Sequence, residues 1–365
     1  MRKLVNVGIE NWFIKTVAQC HRFCCSKSPF TIFVRFYAKL DINIAFSIVV
    51  VKSVDVIRLC QPLAEFISKC DRRADRMSKL SKWKHKIEKI CPTIKVDAIA
   101  VNDSGQYNTI CTVNHEWVFR FPKYESELET ASKEFHILKV LQHHVSLPLP
   151  YPEYAKLDTD NYKEAYMGYR LIPGKPLFRQ SFIQIEDHEK LALQLGTFLR
   201  ELHNVPQSAY ISLGLEEKDS RNSWLDFYNE VKTNLYPLMR GDSQQKLSLM
   251  FESFLDTPSN FNFAPTLIHG DFGPTNILHN GGNISGILDF SEVSVDDPAI
   301  DIAALIGKFG YGEGFVKLMK PVYPKVEEYL NRARFYASTF ALQDALFGFK
   351  SGNKELLNFG MEDYV

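Results

Sequence analysis

The order of patterns along the chain predicts an α+β protein with two lobes, a small β-rich one followed by a larger, mainly helical one, after an N-terminal extension with no assigned structure. Three observations carry that reading. Short β-branched and alternating segments cluster between residues 94 and 172. Segments with helical spacing dominate from residue 187 onward. A β-rich island at 266–290 interrupts those helices and holds the densest run of polar side chains.

Each element follows from local signals. Residues 78–90 predict a helix, with Leu80, Trp83 and Ile87 at helical spacing. Strands are expected at 94–101, 109–114 and 116–121, with Asn114-His115 as a hairpin turn. Residues 127–142 predict a helix whose Phe135, Leu138 and Leu141 share a face. Pro148, Pro150 and Pro152 end it and lead to strands near 152–156 and 164–172. Helices are expected at 187–203, 223–238, 243–256 and 323–349. In the island, Asn280 to Asn283 supply turn residues, so 275–279 should pair with 284–289 as a hairpin. Asp297-Pro298 has the chemistry of a helix start. These elements divide the chain into an extension at 1–76, an N-lobe at 77–172 and a C-lobe at 173–365.

Composition narrows the function classes. With 24% charged and 45% hydrophobic residues, the chain is neither wholly disordered nor a many-spanning membrane protein. The formal net charge is zero, which removes the basic excess expected of a dedicated nucleic-acid binder. That zero combines +7 over residues 1–76 with −7 over 77–365. Five of the seven cysteines (Cys20, Cys24, Cys25, Cys60, Cys70) also lie in the extension, without the spacing of a zinc site or a disulfide framework. The most apolar run, residues 42–51, is half the ~20 residues a membrane-spanning helix needs. A cytoplasmic protein with no membrane or nucleic-acid partner is expected, and its oligomeric state is left open. The extension is either an appended module or a segment outside the functional protein, with translation starting at Met77.

The island carries the chemistry. It reads Ile268-His269-Gly270-Asp271-Phe272-Gly273-Pro274-Thr275-Asn276, and continues through the hairpin to Leu288-Asp289-Phe290-Ser291. The hairpin should bring Asp289 close to Asp271 and Asn276. Carboxylate and amide oxygens suit a hard divalent cation such as Mg²⁺, which keeps substrate phosphates as further ligands. Asn276 and Asp289 fit that task, while Asp271 can accept the proton of an attacking hydroxyl. An aspartate, an asparagine five residues later, and then Asp-Phe is the order used in kinase-like phosphoryl transfer.

On these residues, and on Asp297-Pro298-Ala299-x-Asp301-Ile302-Ala303 after them, residues 77–365 resemble the aminoglycoside phosphotransferase family, small-molecule relatives of the protein kinases. The resemblance implies a bilobal protein-kinase-like fold. It implies transfer of the γ-phosphoryl group of ATP or GTP to a hydroxyl of a small, cationic acceptor, with an aminoglycoside first. Macrolides and metabolites of the choline and homoserine type are the alternatives within that chemistry. It makes Asp271 the catalytic residue and Asn276 and Asp289 the Mg²⁺ ligands. His269 braces the catalytic loop, and Asp301, in the first turn of the next helix, steadies it.

By the same resemblance, Arg120 is the phosphate-contacting base and Glu134 its acidic partner. Ser104 and Gly105 lie in the phosphate-covering loop, where their N–H groups could meet phosphate. Residues 168–172, with Tyr169 and Leu171, look like the interlobe hinge that reads the base through its backbone. Two departures from the pattern point to another class, an inactive kinase-like scaffold that binds a partner through its basic extension. The covering loop has one glycine where three are usual, and Ser291 replaces the glycine of Asp-Phe-Gly.

Overall fold

The computed structural model describes residues 78–105, 107–159, 161–215 and 220–365; the extension, its cysteines and the 42–51 run lie outside the described residues. Residues 86–365 form one compact unit. After a helix at 78–90 (α1), three strands follow: β1 (Ile99–Asn102), β2 (Asn108–Val113) and β3 (Trp117–Pro122). Then come α2 (Glu127–Leu141), β4 (Pro152–Lys156) and β5 (Tyr166–Arg170). The five strands form one antiparallel sheet in the order β1-β2-β3-β5-β4. The turn between β2 and β3 places Asn114 at φ 53° and His115 at φ 55°, the twist a two-residue hairpin requires.

The first strand is shorter than its sequence suggests, because residues 94–98 form irregular chain with a bend at Asp97. Both flanks of the β5 segment, 164–165 and 171–172, likewise fall outside it. Strand β3 is buried along its whole length, whereas β2 alternates with the pleat. In α2 the buried side chains are Glu134, Ile137, Leu138 and Leu141, so a carboxylate lies in the apolar stripe of that helix.

The C-lobe begins with the two-residue strand β6 (Lys175–Pro176). Its longer helices are α3 (His188–His203), α4 (Ser220–Asn234), α5 (Gly241–Leu255), α6 (Ala299–Ile306), α7 (Val326–Ser351) and α8 (Lys354–Met361). Between α5 and α6 lie β7 (Thr266–Ile268), β8 (Ile277–Asn280), β9 (Asn283–Ile287) and β10 (Ser294–Asp296). The expected hairpin is present with Ile277 opposite Ile287, and β6 adds to its edge through Lys175 and His279. Gly281 (φ 56°) and Gly282 (φ 75°) make the turn. Short strands pair β7 with β10 in a second ladder beside the segment that begins at His269.

One helix start moves by a residue. Helix α6 begins at Ala299 with Pro298 as its cap residue, and Asp297 Oδ1 accepts the Ala299 N–H at 3.0 Å from one position further out. Among the C-lobe aromatics, Phe335 and Tyr336 are core, while Phe347 and Phe349 remain exposed.

Candidate active site

The segment between β7 and β8 alternates between anchors and a free side chain. Ile268, His269 and Phe272 are buried, and the Phe272 ring stacks on Phe198 of α3 at 5.5 Å. Burying a phenylalanine contributes ~1.5–3 kcal/mol, so these residues hold the loop while Asp271 stays exposed between them. Gly270 adopts φ 83°, and a Cβ there would stand 2.3 Å from the Glu292 carbonyl oxygen. Only glycine fits that turn.

Two residues fasten the loop. His269 Nε2 donates to the Leu288 carbonyl at 2.9 Å, and its Nδ1 accepts the Asp271 N–H at 3.2 Å, so one imidazole ties the loop to the end of β9. Asp301 is wholly buried and accepts the N–H groups of His269 and Gly270, each at 2.9 Å. His203 Nε2 lies 3.1 Å from Asp301 Oδ2, and His203 Nδ1 is 2.6 Å from the Tyr323 hydroxyl. Burial alone would raise the Asp301 carboxyl, but hydrogen bonding and charge from His203, with help from His269, hold it below the ordinary range.

Asp271, Asn276 and Asp289 converge. Asn276 Nδ2 donates to Asp271 Oδ2 at 2.8 Å and to the Asp271 carbonyl at 2.9 Å. The amide thereby keeps its carbonyl end as an acceptor. Burial raises the Asp271 carboxyl, and the charges of Asp289 and Asp301 add to the rise, against the opposing pull of His269 and Asn276. Asp289 follows β9 at φ 59°, a backbone state that aspartate tolerates better than most residues. Its Oδ1 is buried and accepts no hydrogen bond, although the side chain as a whole is 45% exposed. A buried carboxylate oxygen without a donor is a ligand that a hard cation fits. Among the described residues no group of three or more His, Cys, Asp or Glu side chains is placed to hold a metal ion.

The sheet contributes the other half. Arg120 Nη1 donates to Glu134 Oε1 at 2.6 Å, and Nη2 lies 3.6 Å from Asp289 Oδ1. Glu134 also accepts the Phe290 N–H at 3.2 Å. Burial works against the Arg120 charge, but Glu134, Tyr169 and Asp289 overcome it and raise the guanidinium above its ordinary value. Burial pushes the Tyr169 hydroxyl up to about 12, against the lowering charge of Arg120.

Two expectations for backbone groups change. Ser104 N–H donates to Asn102 Oδ1 at 3.0 Å, as does the Ser104 hydroxyl at 2.7 Å, so this amide is engaged within the loop rather than open to phosphate. Leu171 N–H donates to the Glu116 carbonyl at 2.8 Å, and Tyr169 is paired within the sheet on both sides. Tyr169 therefore enters the site through its side chain. Sequence reasoning missed His203, although a histidine on the buried stripe of an amphipathic helix must find a partner. It also missed the buried set around Asp297, which accepts from Arg332 Nε at 2.5 Å and from the Tyr336 hydroxyl at 2.9 Å. A surface depression of about 510 Å³ is lined by Ser146, Asp187, Lys190 and Gln194 among others and by none of these site residues.

A model of the phosphotransferase enzyme family (APH) matches residues 98–333, which span Arg120, Glu134, His203, Asp271, Asn276, Asp289 and Asp301. The chain belongs to this family. It is 26% identical over 287 residues to viomycin phosphotransferase of Streptomyces vinaceus, covering 76% of this chain and 96% of that protein. The GDP complex of wild-type aminoglycoside 2'-phosphotransferase-IIIa superposes with a TM-score of 0.71 at 26% identity, over 77% of this chain and 95% of that one. Macrolide 2'-phosphotransferase type I shares the fold, with a TM-score of 0.63 at 21% identity over 78% of this chain and 96% of its own. This phosphotransferase thus has the kinase-like architecture, with a sheet-rich N-lobe and a helical C-lobe. Among the described residues, no helix is long and apolar enough to cross a membrane.

Proposed function

We propose that this protein transfers the γ-phosphoryl group of ATP or GTP to a hydroxyl of an aminoglycoside. The observation that carries the proposal is the convergence of Asp271, Asn276 and Asp289 opposite an intact Arg120–Glu134 pair. Asp271, whose carboxyl burial raises above its ordinary value, accepts or orients the proton of the acceptor hydroxyl. Arg120, fixed by Glu134, brings a permanent positive charge to the donor's phosphates. Asn276 and Asp289 would hold Mg²⁺, which neutralises charge on the phosphates when bound. Positioning and electrostatics supply most of the acceleration.

The structures that resemble this chain include GDP complexes and a GDP and kanamycin complex, which supports a nucleotide donor and an aminoglycoside acceptor. The viomycin phosphotransferase relative supports a second acceptor reading, a viomycin-like antibiotic, by its identity over nearly its full length. The intact set of site residues speaks against an inactive scaffold. The test is nucleotide turnover against a panel of aminoglycosides, viomycin, macrolides, choline and homoserine. Turnover with an aminoglycoside is expected, and turnover with viomycin alone would transfer the assignment to the second reading. Asp271→Ala is expected to lower kcat by ~10²-fold or more. Full turnover in that variant would remove Asp271 from the chemistry.

A further inference from the structure

The segment joining β1 to β2, residues 102–108, has a single glycine, Gly105. None of its described residues has a positive φ. Its shape therefore does not come from the backbone freedom that glycines give a phosphate-covering loop. Besides the Asn102 side chain, which holds Ser104 from within, one side chain outside the loop grips it. Lys123 directly follows β3, and its backbone N–H donates to the Tyr107 carbonyl at 2.9 Å. Its ammonium donates to the Asp103 carbonyl at 2.6 Å and to the Gly105 carbonyl at 2.5 Å, and lies 3.3 Å from Asp103 Oδ1. The Asp103 carboxylate also accepts the Thr109 hydroxyl at 2.7 Å, which ties the loop to the first residues of β2. The Lys123 side chain is only 20% exposed. An ammonium has three donors, and acceptors of this one loop surround them.

We infer that Lys123 is a positioning residue for the phosphoryl donor: it preorganises the 102–108 loop over the donor's phosphates without touching the donor. This rests on the nucleotide site proposed above. Charge-assisted bonds to carbonyls are roughly twice as strong as neutral ones, so a lysine beneath the loop can replace restrictions that glycine turns supply elsewhere. A loop already ordered loses less entropy when a phosphate binds, which strengthens donor binding and leaves the acceptor alone.

The experiment uses the full chain and three variants, Lys123→Met, Lys123→Arg and Asp103→Asn. Amide exchange of residues 103–109 is measured without nucleotide, and steady-state constants are measured for donor and acceptor separately. In Lys123→Met, loop exchange should quicken by ~10-fold while the rest of the protein is unchanged. The KM for the nucleoside triphosphate should rise ~10-fold, with kcat within twofold and the acceptor KM constant. Lys123→Arg should restore most of this, and Asp103→Asn should give a smaller rise. Calorimetry with nucleoside di- and triphosphate should show the same fold loss for both.

A loss confined to the triphosphate would mean that Lys123 contacts the terminal phosphate, and would overturn the positioning role. Unchanged loop exchange in Lys123→Met would overturn the clamp, whatever happens to donor binding. A loosened loop with an unchanged donor KM would overturn its role in donor binding. If the wild-type protein binds no nucleotide, the positioning role falls together with the proposed function, while the exchange result still judges the clamp by itself.

Discussion

Asp301 is excluded from water, yet two backbone N–H groups and one imidazole converge on its carboxylate. Removing one partner of a buried polar set costs ~3–5 kcal/mol because the others lose their acceptor. Asp301→Ala should therefore lower the melting temperature strongly and slow turnover, as differential scanning calorimetry and initial rates would register. Its folded pKa lies below the unfolded value of ~4. The stability it contributes is thus present above that pH and is lost as pH falls through the folded pKa. The stability gap between wild type and variant should narrow on acidification. Asp271 moves in the opposite direction. Its raised carboxyl takes up a proton at higher pH than an ordinary aspartate, so the acid limb of a kcat/KM profile should lie above the usual aspartate range.

At the scale of elements, most of what positions the site could be read in advance. Glu134 lies on the same helical stripe as Ile137, Leu138 and Leu141, and a carboxylate on an apolar stripe implies a buried cation opposite. The hairpin and its Gly-Gly turn follow from local chemistry alone. Strands β6 and β10 could not be read, because two or three residues carry no period. The partners of the Ser104 and Leu171 amides were unreadable for a related reason. A sequence does not show which carbonyl or side-chain oxygen reaches a given N–H. Elements also decide why position 120 holds arginine. Its planar fork directs Nη1 to Glu134 on α2 and Nη2 toward Asp289 beyond β9 in one fixed geometry, which a compact ammonium on a flexible stem does not reproduce. Arg120→Lys should therefore weaken kcat/KM for the nucleotide by ~10-fold, with little change in melting temperature.

At the scale of the whole molecule, the matched family region and every site residue lie beyond residue 97, and residues 86–365 pack as one unit. A protein beginning at Met77 should retain the kcat and melting temperature of the full chain; a loss of either would make the extension a working part. Within the compact unit, Leu177 donates to the Ile277 carbonyl at 2.8 Å and accepts the Tyr311 hydroxyl at 2.8 Å, so the chain entering the C-lobe is welded to the catalytic hairpin. The sheet meets that assembly at the chemistry, where Glu134 takes the Phe290 N–H and Arg120 faces Asp289. The proposed reaction centre thus doubles as one of the latches between the lobes, beside the Ile287 N–H to Pro148 carbonyl bond and the Ser146 bonds to Glu201. A spectroscopic reporter of lobe opening would then double as a reporter of catalytic competence, since the cleft cannot gape without pulling the phosphate-binding charges apart.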